Sequence, residues 1–127
     1  MIDKETEVFE AVAKRLREKF PGIYVVGTEL ISAPPQFPAV SLVQTNNANQ
    51  GRYSTFSSLE NVVKEDYKAE VFSNLGKGKE AQTKEITAVI SDVMCEMNYE
   101  RTFCEPIPNA DATVHRRMSR YTNKNVI

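Results

Sequence analysis

The chain has 127 residues, enough for one domain with a single modest core and too few for a separate cofactor domain. Its 41% hydrophobic and 26% charged residues are ordinary for a globular chain and exclude disorder throughout. A formal net charge of −1 argues against a strongly basic nucleic-acid binder, and no apolar run approaches the ~18 residues of a membrane-spanning helix.

The start, "MIDKETEVFEAVAKRL", is acidic and lacks the basic opening and apolar centre of a secretory signal, so synthesis and use in the cytosol are expected. From Asp3 to Lys19, Phe9, Val12, Leu16 and Phe20 recur at helical steps between charged residues, which predicts a helix with one apolar stripe. Asp3 is the predicted cap, and Pro21-Gly22 the stop. "GIYVVGTELI" (22–31) reads as a strand, "SAPPQFP" as a loop, and "AVSLVQT" (39–45) as a second strand. A polar stretch at about 46–62 has no apolar period. It is expected to be a long hairpin loop of the kind that a partner orders.

"EDYKAEVFS" (65–73) alternates, with Tyr67, Ala69 and Val71 on one face and Lys68 and Glu70 on the other. That predicts a half-exposed strand. From about Lys77 to Met97 the period becomes helical, with Ile86, Val89, Ile90, Val93, Met94 and Met97 as the buried stripe. "YERTFCEPIP" and "ATVHRRMSRYT" follow as a hairpin, and about 122–127 as a loose tail. The order α-β-β-β-α-β-β defines a single α+β domain over 1–127. Its sheet is expected to be mostly antiparallel, with both helices on one face.

"VFSNLGKGKEAQTKEI" (71–86) has the order strand, glycine turn, helix that phosphate-binding loops use. A Walker loop fails here: Ser73 stands where its first glycine belongs, and Glu80 follows Gly78-Lys79 where a hydroxyl is needed. Gly76-x-Gly78-x-x-Ala81 fits the relaxed dinucleotide fingerprint. However, Lys68 and Glu70 interrupt the strand before it, and no alternating βαβ series follows. Gly76 and Gly78 are therefore expected to turn the chain through positive φ, with Lys77 and Lys79 solvated at the helix entry.

Cys95 and Cys104 fit no zinc or redox spacing and are expected to be partly buried free thiols. His115 is the sole histidine, expected exposed on its strand, and no catalytic set or metal cage can be assembled around it. Residues 101–127 carry five Lys and Arg against two Asp and Glu, so this end is +3 while the rest is −4. Arg116 and Arg120 share one strand face and Arg117 lies on the other, which suggests an edge strand or a strand that meets a partner.

The order of elements, the segment "YKAEVFSNLGKGKEAQTKEITAVISDVMCEMNYERTFCEPIPNADATVHRRMSRY" (67–121) and "FPAVSLVQTNN" (37–47) together resemble the tail-terminator and tail-completion proteins of long-tailed bacteriophages. The shared features are a strand ending in "SN" before a helix, "M-x-Y-x-R", and a last hairpin ending in "R-Y". The resemblance covers most of the chain. It implies a non-enzymatic structural protein that caps the tail tube as a homohexameric ring, ends tube polymerisation and presents the interface for head–tail joining. Implied partners are further copies of the chain, the tail-tube protein and a head-completion or connector protein, with genomic DNA only passing through the ring and no membrane. No cofactor is implied, and the expected location is the virion tail or neck, with the host cytoplasm during assembly.

On polarity and position, Asn46, Asn47, Asn49, Gln50, Arg52, Tyr53 and Phe56 are expected to contact the tail tube. Lys77, Lys79, Arg116, Arg117 and Arg120 are expected to contact other subunits or the neck. The alternatives are another neck or connector protein of the same phage module, and a small nucleotide- or nucleic-acid-binding module.

Overall fold

The computed structural model describes residues 4–30, 34–49, 63–108 and 113–123. These form α1 (Glu5–Lys19), β1 (Tyr24–Val26), β2 (Ala39–Asn49), β3 (Val63–Ser73), α2 (Lys79–Glu96), β4 (Tyr99–Ile107) and β5 (His115–Asn123). The α-β-β-β-α-β-β order is as the sequence predicts. The strands make one five-stranded sheet in the order β1-β2-β3-β5-β4. It is mixed: β1 runs parallel to β2, while the other three ladders are antiparallel.

Both helices lie on one face. Val8, Val12, Ala13 and Leu16 of α1 join Ile86, Val89, Ile90, Val93 and Met94 of α2 in one core with Val40, Leu42, Tyr67, Ala69, Val71, Tyr99 and Tyr121 of the sheet. Full burial of an Ile or Leu side chain contributes about 1.5–3 kcal/mol, so the α2 stripe anchors the domain. Phe9, Phe20 and Met97 pack only partly against this core. Arg15 binds Glu96 through two bonds, Nη1 to Oε2 at 3.0 Å and Nη2 to Oε1 at 2.9 Å, tying α1 to the last turn of α2.

Turn chemistry sets the ends. Gly22 at φ +86° carries the chain out of α1, and Asn98 at φ +72° ends α2 one residue before β4. At α1 the N-cap position is Lys4, with no side-chain cap. Its backbone N–H instead donates to Glu65 Oε1 at 3.2 Å. Asp3, the expected cap, lies outside the described residues.

Several boundaries differ from the sequence reading. Among the described residues, the strand expected over 22–31 holds only at Tyr24–Val26. Beyond it, Gly27 passes Phe9 of α1, where a Cβ would stand 3.5 Å from the ring. The Ser41 hydroxyl then donates to the Thr28 carbonyl at 2.7 Å, and Glu29 pairs with Lys68. Residues 28–29 thus cross onto the sheet face away from the helices, on the connection that a parallel β1–β2 pair requires. The polar stretch begins later than 46, because β2 stays paired to Asn49↔Val63 beyond a bulge between Gln44 and Asn46. The tail also begins later: Thr122 and Asn123 belong to β5, and Asn123 Oδ1 accepts the Glu65 N–H at 2.9 Å.

The arginine-bearing strand is not an edge. β5 inserts between β3 and β4, pairing with both, and leaves β1 and β4 at the edges. The exposed side chains of the hairpin collect on β4 instead, among them Glu100, Arg101, Thr102, Glu105 and Pro106.

Candidate interaction surface

Strand alternation gives the sheet a second face, opposite the helices. It carries Ser41 and Val43 of β2, Asp66, Lys68, Glu70 and Phe72 of β3, Arg116, Met118 and Arg120 of β5, and Phe103, Glu105 and Ile107 of β4. Among the described residues no helix or second sheet covers this face.

Lys68 and Glu70 are not half-exposed, as their alternation suggests. Glu70 is 6% exposed, and the Lys68 side chain is 14% exposed. The cause is a charge network that spans strands. Arg116 Nε donates to Glu70 Oε2 at 2.6 Å, and its Nη2 pairs with the same oxygen. Lys68 Nζ lies 3.3 Å from Glu70 Oε1 and also holds Glu29. The Arg116 guanidinium stacks over Phe72, 5.6 Å from the ring centroid. Two acids and two bases thus share one patch. The hydrogen bond from Lys68 holds the Glu29 carboxyl below its ordinary range, and the same bond holds the Lys68 ammonium above its own. Around this neutral network lie Val43, Phe103, Ile107 and Met118, all half-buried. A depression of about 260 Å³ lies beside it, lined by Thr45, Lys64, Asp66, Thr102, Arg120, Tyr121 and Thr122.

The sequence-selected residues scatter. Of the arginines, Arg116 is half-buried in the network, Arg120 is exposed on the second face, and Arg117 is buried at 8% exposure on the helix-covered side. Arg117 therefore does not share a surface with the other two. Lys77 is exposed and Lys79 half-buried at the entry to α2. Gly78 has φ +81° and forms the N-cap, as expected of a glycine turn, whereas Gly76 does not take positive φ. Asn46 is exposed on β2 and donates to Asp66 Oδ2 at 3.1 Å across the ladder. Asn46, Asn47 and Asn49 are strand residues, not loop residues. Gln50, Arg52, Tyr53 and Phe56 lie outside the described residues.

Sequence reading missed Glu29, Lys68 and Glu70 as a unit. The available signal was the Lys68-x-Glu70 alternation; what it lacked was the β3–β5 register that sets Arg116 beside Glu70.

On the helix side, Glu65 is 3% exposed and accepts hydrogen bonds from Tyr99 Oη at 2.9 Å and Gln44 Nε2 at 3.3 Å. Tyr67 and Tyr99 meet edge to face at 5.3 Å. Burial, and then the bond to Glu65, push the Tyr99 phenol well above its ordinary value. Burial likewise raises Tyr121, whose hydroxyl lies 2.8 Å from Ser91 Oγ. His115 is half-buried rather than exposed, Cys104 is half-buried, and Cys95 is exposed, contrary to its expected partial burial.

Among the described residues no group of His, Cys, Asp and Glu could hold a metal ion, and no helix is long and apolar enough to cross a membrane. No protein-family model matches the chain, and no curated protein matches it.

Proposed function

We propose that this chain is a structural assembly protein of the tail-terminator type, which closes a ring of its own copies on the end of a bacteriophage tail tube and presents the ring to the head connector. The observation that carries the proposal is the second sheet face. Half-buried Val43, Phe103, Ile107 and Met118 surround a neutral ion network there, with no regular layer over them among the described residues. Apolar side chains around satisfied polar groups are the make-up of an interface core rather than of a solvated face. The order of elements and the resemblance over 67–121 favour the phage family, and that role requires no catalytic group. On this basis Arg120 and the Glu70–Arg116 patch face a neighbouring subunit. The paired end of β2 and β3, from Asn46 to Asp66 on the ladder, carries the segment that meets the tube.

Electron microscopy of particles assembled without this protein tests the proposal. Overlong tails are the expected result, with normal length restored by the wild-type chain and not by Met118→Glu. Tails of normal length that lack heads would indicate a connector instead, and unaffected particles would refute an assembly role.

A further inference from the structure

We propose that the seam between α2 and β5 is a receptor for a small oxyanion, with the Arg117 guanidinium as its main ligand and His115 as its second. Arg117 is 8% exposed, yet its Nε has no hydrogen-bond partner among the described residues. Its one polar contact there is Nη1 to Cys104 Sγ at 3.7 Å, a weak acceptor. No carboxylate among the described residues pairs with it. Glu80, the acid in the first turn of α2, is exposed and bound to Lys84 at 3.7 Å. An arginine cannot shed its proton to escape burial, so a guanidinium whose Nε is buried without an acceptor carries a desolvation cost that a bound anion offsets.

Further donors line the same seam. Among the described residues, His115 Nε2 and Thr87 Oγ1 are buried atoms without partners. His115, Arg117 and Ser119 fall on one side of β5 by alternation, the side of Tyr121. Ser91 meets Tyr121, and Gln82 meets Ser73, the direct neighbour of His115 in the β3–β5 ladder. These two contacts lay α2 along β5, with its N-terminal turns over His115 and Arg117. A helix N-terminus favours negative charge at that end. The seam opens over the outer strand, where Cys104 is half-buried and Pro106, the ladder partner of Arg117, is exposed.

His115 is the only histidine in the chain, so its imidazole nitrogens are an unambiguous NMR probe. Inorganic phosphate and, separately, acetate are titrated into the full-length protein at constant ionic strength, with chloride as the reference. The expected result is a saturating shift of the His115 nitrogens in the millimolar range, with a rise in melting temperature, both lost in Arg117→Gln. A stronger phosphate response identifies a phosphoryl-type ligand, and a stronger acetate response a carboxylate, such as an acidic side chain of another subunit. A non-saturating shift that chloride reproduces would overturn the proposal. In the chloride reference buffer, free of phosphate and carboxylates, Arg117→Gln is expected to melt no lower than wild type. A large drop would mean that the isolated chain already supplies a counter-charge, and would equally overturn the proposal. Neither readout depends on ring or tail assembly, so failure here leaves the assembly role to its own test.

Discussion

Replacing Glu70 by Gln keeps the shape of the side chain and removes its charge from beside two cations. Glu70 is 6% exposed and takes Arg116 on one oxygen and Lys68 on the other. The Gln oxygen still accepts one hydrogen bond, so the lower bound is one charge-assisted bond, about 1.5 kcal/mol. The upper bound is the loss of one partner from a fully buried pair, about 3–5 kcal/mol. Two facts pull the value down: the Arg116 side chain is 30% exposed, and Lys68 retains Glu29. A destabilisation of roughly 2–3 kcal/mol is therefore expected. With an unfolding entropy of about 2.1 cal/mol/K per residue, this lowers the melting temperature by about 7–11 °C. Thermal melts and urea titrations of Glu70→Gln, Arg116→Met and the double variant measure both the cost and the coupling. A loss below about 0.5 kcal/mol for Glu70→Gln, or no coupling with Arg116→Met, would show that water screens this face as it does an ordinary surface pair.

Ile90 is fully buried beneath α2, so Ile90→Ala is expected to cost about 2–5 kcal/mol in urea unfolding. Gly78→Ala forces a Cβ into positive φ and is expected to cost about 1 kcal/mol, whereas Gly76→Ala, with open space around it and no positive φ, is neutral or slightly stabilising. Tyr99 and Tyr121 both have phenols raised above the ordinary value of 10.0, so the unfolded chain loses these protons first. Their contribution to stability is complete below pH ~10 and declines above it, by up to about 1.4 kcal/mol per pH unit for each tyrosine. In urea titrations between pH 9 and 11, Tyr99→Phe and Tyr121→Phe are each expected to flatten that decline.

Helical periodicity made α2 legible, because Ile86, Val89, Ile90, Val93 and Met94 follow the 3.6-residue repeat and all are buried. The turn at Gly78 was legible in its type, since glycine takes positive φ at little cost. β1 was legible as a strand but not in its length, because its end is set by contacts from distant residues, Phe9 beside Gly27 and Ser41 bound to Thr28. The candidate interaction surface was legible only as scattered charges.

The order of elements and the apolar stripes come from local chemistry: side-chain periodicity, β-branching, prolines and glycines act within a few residues of themselves. The neighbours of each strand do not. β5 has the same alternation whether it ends the sheet or lies inside it, and only the closing of β4 outside it removed it from the edge. That choice separated Arg116 from Arg117, setting one against Glu70 and burying the other on the helix-covered face of the sheet. A salt bridge between residues 46 positions apart, such as Glu70 with Arg116, depends on strand register, which arises only when the whole sheet is assembled.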